Sequence, residues 1–410
     1  MYLNNDNMVK VSIIMPVYNG SEYLKTSIES IIKQTFNDIE IICVDDGSED
    51  NSLELLNEMA EKYSCIKVLS QENQGSGKAR NYGIDESEGE YIGFIDADDI
   101  FVDENSLELL YTKACENNAD IVSGNLKKLT QDRVLVDNPN CAEDNYYCFE
   151  KDAFISPEEY GVPWAFYKNL FKKEFLDKNN IRFKDLIRGQ DPVFMAETLA
   201  HADAVYGVNT DFYAYMFPVP GKPYLKVNNS LKKYHYTKHY KDTFDIFEAA
   251  GMYKSSEKYK PKLLKYFNYS VKVNDLEIFE IAMDLFGIEN HYFDNFRNEY
   301  DRFIIHHILR KIDIEDNEEY FNTAKEQLSK LDIAKNTKIN SKEAKGLLLV
   351  LNSASFDDYK INLEFKRRNS LLRENKKLKK ELEKSKKLNK ELLSSSSWKV
   401  TESLRSFRNR

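Results

Sequence analysis

A chain of 410 residues exceeds the usual span of one domain and implies two or more structural units. Hydrophobic residues at 42% and charged residues at 31% describe a globular protein with a proper core, and the net charge of −10 argues against general nucleic-acid binding. Five cysteines (Cys43, Cys65, Cys115, Cys141, Cys148), odd in number and without a CxxC pair, argue against a disulfide framework or a zinc site and read as reduced thiols. The polar start, Met1 to Lys10, has no apolar signal region, and no stretch approaches the roughly 18 apolar residues of a membrane span. The expected location is the cytoplasm.

The apolar run Val11–Pro16 predicts a buried strand, and Ser21 to Gln34 carries apolar residues at helical spacing behind a candidate serine cap. Ile39–Val44 predicts a second strand and Asn51–Tyr63 a second helix. Ile66–Ser70 follows as a strand, then a helix over Gly77–Ser87, then a strand over Tyr91–Ile95 that runs into Asp96-Ala97-Asp98-Asp99. Strands alternating with helices imply a largely parallel sheet, and ligands of such sheets bind beyond the carboxyl ends of the strands. The polar clusters Tyr18-Asn19, Asp45-Asp46 and Asp96 to Asp99 all follow strands in that way.

Each cluster has a chemical and a plain reading. Three carboxylates within four residues suit Mg²⁺ or Mn²⁺, or else form an acidic turn capping the helix near Glu104. Asp45-Asp46-Gly47-Ser48 either accepts hydrogen bonds from a ribose or base, or is an ordinary turn. Pro16-Val17-Tyr18-Asn19 offers the Tyr18 ring to a nucleobase, or is an ordinary surface loop. Asn73 to Asn81, with Lys78 and Arg80 near a helix start, welcomes phosphate oxygens but lacks the P-loop spacing; it is otherwise a glycine loop with solvated cations.

Taken in order, VSIIMPVYNG, KQTFNDIEIICVDDGSEDNS, NQGSGKARNYGI and EGEYIGFIDADDIF resemble glycosyltransferase family 2, inverting enzymes of GT-A fold. The resemblance spans about residues 9 to 230. It implies an α/β, Rossmann-like, mostly parallel catalytic domain, followed by a helical region over 231–364 and a basic, coiled-coil-like tail over 365–410. It implies donor contacts at Pro16, Tyr18, Asp45, Asp46, Arg80 and Asp96, a Mn²⁺ or Mg²⁺ ion on Asp98, and Asp191 as general base. The family's acidic neighbour of that base is Gln190 here, which leaves Asp191 less basic than a Glu-Asp pair would. A later Tyr-Arg pair reads Tyr215-Met216, without the basic contact. The implied reaction moves a sugar from a nucleotide-sugar, UDP-linked for preference, to a hydroxyl of a lipid-linked or surface glycan. Two other readings remain: a non-catalytic nucleotide-sugar-binding scaffold that oligomerises through its tail, and a nucleotidyltransferase.

Outside these motifs, His235 and His239 share a helix face but lack the HExxH glutamate, so a structural pair is expected. Trp164 is either an acceptor-pocket ring or a core indole. From Phe365 onward 16 Lys or Arg face 5 Asp or Glu, a local excess of 11 positive charges. Leu371, Leu378, Ser385 and Leu392, with Asn375, Leu382 and Asn389, repeat as a heptad seam; the choice is a paired coil, hence a homodimer, or a lone solvated helix. Trp398, Val400, Leu404 and Phe407 among cations suit the face of an anionic membrane, a partner subunit or a disordered end.

Overall fold

The computed structural model describes residues 9–130, 132–136, 147–161, 164–216, 229–272, 277–287, 297–329, 331 and 341–394. Chain contacts divide it into two compact units, Met1–Glu289 and Asn290–Arg410. The first begins with β1 (Val11–Val17), α1 (Leu24–Ile32), β2 (Ile39–Asp45), α2 (Ser52–Lys62), β3 (Ile66–Ser70), α3 (Ser76–Asp85), β4 (Tyr91–Phe94), β5 (Ile100–Phe101) and α4 (Ser106–Glu116). It continues through β6 (Ile121–Leu129), β7 (Leu135–Val136), β8 (Ala153–Ile155), α5 (Pro157–Tyr160), β9 (Asn169–Lys172), α6 (Lys173–Lys178), α7 (Gln190–His201) and β10 (Val205–Met216).

All seven residues of β1 are buried, as expected of a strand covered on both faces. It pairs in parallel with β2 on one side and β4 on the other. Helix α1 lays Leu24, Ile28 and Ile31 onto the core at the spacing of a single helical face. Ser21 is not its cap: the Gly20 carbonyl accepts from the amides of Tyr23 and Leu24, and the Ser21 amide donates to Asp50 Oδ2 at 3.1 Å.

The sheet is mixed rather than mostly parallel. Its ten strands run β3-β2-β1-β4-β9-β6-β10-β5, with β7 on β6 and β8 on β10. The first four are parallel, whereas β9 is antiparallel to both β4 and β6, between which it lies. A parallel partner needs a long crossover, usually a helix. Ahead of β9 the described chain offers only the single turn α5 and a 3-10 turn over Phe166–Lys168, so nothing compels a parallel entry.

The first unit ends with α8 (Ser230–Ala249), α9 (Tyr253–Lys272) and α10 (Glu277–Phe286). The second holds α11 (Arg297–Glu315), α12 (Glu318–Ser329), α13 (Ser341–Asn352) and the 39-residue α14 (Phe356–Ser394). Leu371, Leu378 and Leu382 of α14 are all more than half exposed. Trp398, Val400, Leu404 and Phe407 lie outside the described residues. Among the described residues no helix is long and apolar enough to cross a membrane.

Cys43, Cys65 and Cys115 are free thiols, but Cys148 is disulfide-bonded, against the expectation of reduced thiols throughout; Cys141 lies outside the described residues. Spacing alone cannot reveal such a bond, because the fold decides which sulfurs meet.

Candidate active site

The chain turns sharply where β1 and β2 end, and the two turns are latched together. Asn19, at φ +51°, accepts from the Glu49 amide at 2.8 Å and donates its own amide to Ser48 Oγ at 3.0 Å. The Gly20 amide donates to Ser52 Oγ at 2.9 Å. Pro16 is buried, whereas Tyr18 is 50% exposed. That leaves the Tyr18 ring free to meet a flat ligand.

Asp45 and Asp46 are both buried, with different work. Asp46 Oδ1 accepts from Gln71 Nε2 at 2.7 Å and the Gln74 amide at 2.8 Å, and its Oδ2 accepts from the Gly75 amide at 2.8 Å. Asp46 therefore shapes the loop that leads into α3. Asp45 Oδ2 receives only a long bond from the Ser48 amide, 3.4 Å, and its Oδ1 is enclosed without a partner. Gly47 beside them sits at φ +74°, and a Cβ there would lie 2.9 Å from the Asn73 nitrogen, so glycine is required. Asp46→Ala strands two loop amides and is expected to cost about 1–3 kcal/mol, read as a lower denaturant midpoint with an unchanged m-value.

Helix α3 carries the hub. Arg80, 4% exposed, packs against the rings of both Phe166 (4.8 Å) and Phe183 (5.2 Å). Its Nη2 meets Asp96 Oδ1 at 2.7 Å, beyond β4, and its Nη1 meets Asp191 Oδ1 at 3.3 Å, in the first turn of α7. Gln190 Nε2 donates to Ser76 Oγ at 2.8 Å, joining the starts of the same two helices. Gly189, at φ +90°, caps α7 in the left-handed region; a Cβ there would strike the His239 ring at 2.4 Å. Arg80 thus joins Asp96 to Asp191, and Asp46 holds the Gly75 amide immediately before the same helix α3.

Desolvation pushes the Asp191 carboxyl up to about 6; Arg80 opposes that rise and Asp96 adds to it. The expectation from sequence concerned the missing charge at residue 190. What raises Asp191 instead is its setting, and Gln190 serves as a tie to Ser76.

The acidic triplet divides its duties. Asp99 is fully buried and accepts from Tyr213 Oη at 2.6 Å and the Met216 amide at 2.7 Å. Tyr213 Oη also receives the Asp96 amide at 3.1 Å, so Asp99 braces the loop from within. It is no free ligand for an ion. Asp98 is partly buried; desolvation and the charge of Asp96 both raise its carboxyl above the ordinary range. Its carbonyl accepts from Arg133 Nη1 at 2.7 Å. Among the described residues no three His, Cys, Asp or Glu converge into a protein-only metal site.

Sequence reasoning missed Ser76, Tyr213, Phe183 and Arg133, which hold or flank the named residues. Of these, only Ser76 lies inside a quoted motif. His235 and His239 are structural: His235 Nδ1 accepts from the Ile187 amide at 2.9 Å, and the buried His239 Nε2 lies 3.0 Å from Tyr259 Oη. Trp164 packs against His239 at 5.9 Å with its indole nitrogen enclosed.

Residues 12–175 match the profile of Glycosyl transferase family 2. A cholesterol galactosyltransferase of Borreliella burgdorferi is 31% identical over 283 residues, which cover 66% of this chain and 76% of that protein. The chain belongs to glycosyl transferase family 2. Another similar member is the poly(ribitol-phosphate) β-N-acetylglucosaminyltransferase TarP of Staphylococcus aureus, 31% identical over 61% of this chain and 76% of that one. Among solved structures, S. aureus TarS 1–349 in complex with UDP-GlcNAc aligns with a TM-score of 0.51 at 18% identity, over 88% of this chain and 92% of that chain. That likeness shows a shared fold. Family membership makes this chain one of a class of sugar-transferring enzymes, with Arg80, Asp96 and Asp191 brought together at the end of its sheet.

Proposed function

We propose that this protein transfers a sugar from a UDP-sugar to a hydroxyl of a surface or lipid-linked glycan, with inversion at the anomeric carbon. The observation that carries the proposal is Arg80, which ties Asp96 and Asp191 to one buried cation although they belong to different ends of the catalytic region, 9–230. The donor assignment draws on the UDP-GlcNAc bound by TarS, and the relatives that transfer galactose and N-acetylglucosamine support a sugar donor.

In this reading the exposed Tyr18 lies against the nucleobase close to Pro16, and Asp45 contacts the ribose or base. Asp46 fixes the loop around them. Arg80 and Asp96 border the diphosphate. Asp98 would hold a Mn²⁺ or Mg²⁺ ion, its partly buried carboxyl standing beside the like charge of Asp96, which a cation would offset. When bound, such an ion would supply positive charge to offset that of a departing diphosphate. Asp191 accepts the proton of the acceptor hydroxyl as that oxygen attacks from the opposite face.

A base of this kind works only when ionised. Asp191 carries its proton below about pH 6, so kcat/KM is expected to be level above that value and to fall about tenfold per pH unit beneath it. A pH–rate profile flat from pH 7 to 4 contradicts the assignment.

The basic tail, 365–410, takes two roles in the proposal: pairing with a second copy along Leu371, Leu378 and Leu382, and contact with an anionic membrane that presents the acceptor. The exposure of those leucines supports the first and the charge of the tail the second. Sugar release from a panel of nucleotide-sugars, with and without Mn²⁺, tests the donor assignment; turnover of none of them rules it out.

A further inference from the structure

His235 and His239 hold structure, and what they hold is the approach to Asp191. Helix α7 starts without a side-chain cap, because Gly189 stands at its entry with φ +90° and has no side chain to offer. The three residues before Gln190 are gripped instead from α8. The Ile187 amide donates to His235 Nδ1 at 2.9 Å. The Arg188 guanidinium lies over the Tyr236 ring at 5.0 Å. Gly189 rests on His239, where a Cβ would come within 2.4 Å of the ring.

His235 and His239 stand four residues apart, on one face of α8. His239 is itself fixed: fully buried, 3.0 Å from Tyr259 Oη of α9, and edge-on to Trp164 at 5.9 Å. Burial pushes its imidazole down to about 3, so above that value the surface under Gly189 stays uncharged. Asp191 follows two residues after Gly189, and its Oδ1 lies 3.3 Å from Arg80 Nη1, against 2.7 Å for Asp96 and Arg80 Nη2. The longer bond leaves the place of this carboxylate to the helix that carries it. A reacting group misplaced by about 1 Å can lose on the order of 100-fold in rate, so the entry to α7 bears directly on turnover.

We propose that α8 positions the general base: His235, Tyr236 and His239 fix residues 187–189 and so set where Asp191 meets the attacking hydroxyl. The proposal rests on Asp191 as the base and gives the first helix after the sheet a part in the reaction. These are positioning residues, which act through Asp191.

The test is a double-variant cycle on the full chain, using whichever UDP-sugar of the panel turns over fastest. His235→Leu removes the hydrogen-bond acceptor for the Ile187 amide, whereas His235→Asn, close to leucine in shape, keeps an oxygen at that place. The leucine variant is expected to lose kcat by about 10- to 100-fold with UDP affinity unchanged by calorimetry, and the asparagine variant to recover most of that loss. If His235→Leu does not fold, His235→Phe keeps a flat ring without the acceptor and serves in its place. In an Asp191→Asn background the same substitution should cost nothing further, because the group it positions is already inert. A wild-type kcat in the leucine variant, an asparagine variant no better than leucine, or a full loss in the Asp191→Asn background overturns the positioning role and leaves Asp191 as the base. Wild-type turnover in Asp191→Asn alone, or a wild type that turns over none of the panel, overturns the underlying reading and this proposal with it.

Discussion

Asp191→Asn is expected to lower kcat by about 100- to 10,000-fold, the usual contribution of a positioned general base. Asn keeps the shape of the side chain and an oxygen that accepts from Arg80 Nη1, so the tie between α3 and α7 survives. What disappears is the ability to take a proton. Donor affinity should therefore change little while turnover collapses, and the ionisation near pH 6 should vanish from the residual rate. Steady-state kinetics beside calorimetric donor binding separates the two effects. A variant retaining more than about a tenth of wild-type kcat places the base elsewhere.

The second large effect is expected from Arg80→Met. Arg80 is enclosed, while Asp96 and Asp191 keep 30% and 32% of their side-chain surface in water. Removing one member of a fully buried ion pair costs about 3–5 kcal/mol, but water screens these two acids, so a loss nearer 2 kcal/mol is expected. Met retains packing against Phe166 and Phe183. Activity should suffer more than stability. The charge that holds the Asp191 pKa down is gone, while that of Asp96, which pushes it up, remains. The acid limb of kcat/KM should therefore move to higher pH, and donor affinity should fall with it. Denaturant unfolding and a pH–rate profile measured on the same preparation check both parts. An acid limb that stays in place contradicts the coupling of Arg80 to Asp191.

How much of this was legible in the sequence depends on how local the signal is. The strands β1 to β4 and the helices between them were readable within a residue or two at most ends, because buried runs and amphipathic spacing are written within about ten residues. The antiparallel insertion of β9 was not, since pairing direction depends on what lies beside a strand in space. In the site, Asp96 and Asp191 were recognisable from their motifs. That Arg80 would bind both, and that Asp99 would turn inward onto Tyr213, was not recognisable, because these partners lie on distant elements. Arg133 left no trace at all. It stands in no quoted motif, and its bond to the Asp98 carbonyl joins parts of the chain far apart in sequence.

The edge where Arg80 joins Asp96 to Asp191 is read as the place where a nucleoside diphosphate leaves and a hydroxyl attacks. Proton NMR of the reaction products tests this most directly, by following the anomeric signal from an α-linked UDP-sugar into the product. A β-linked product is expected, formed by the wild type and lost in Asp191→Asn. An α-linked product, or transfer undiminished in that variant, contradicts it.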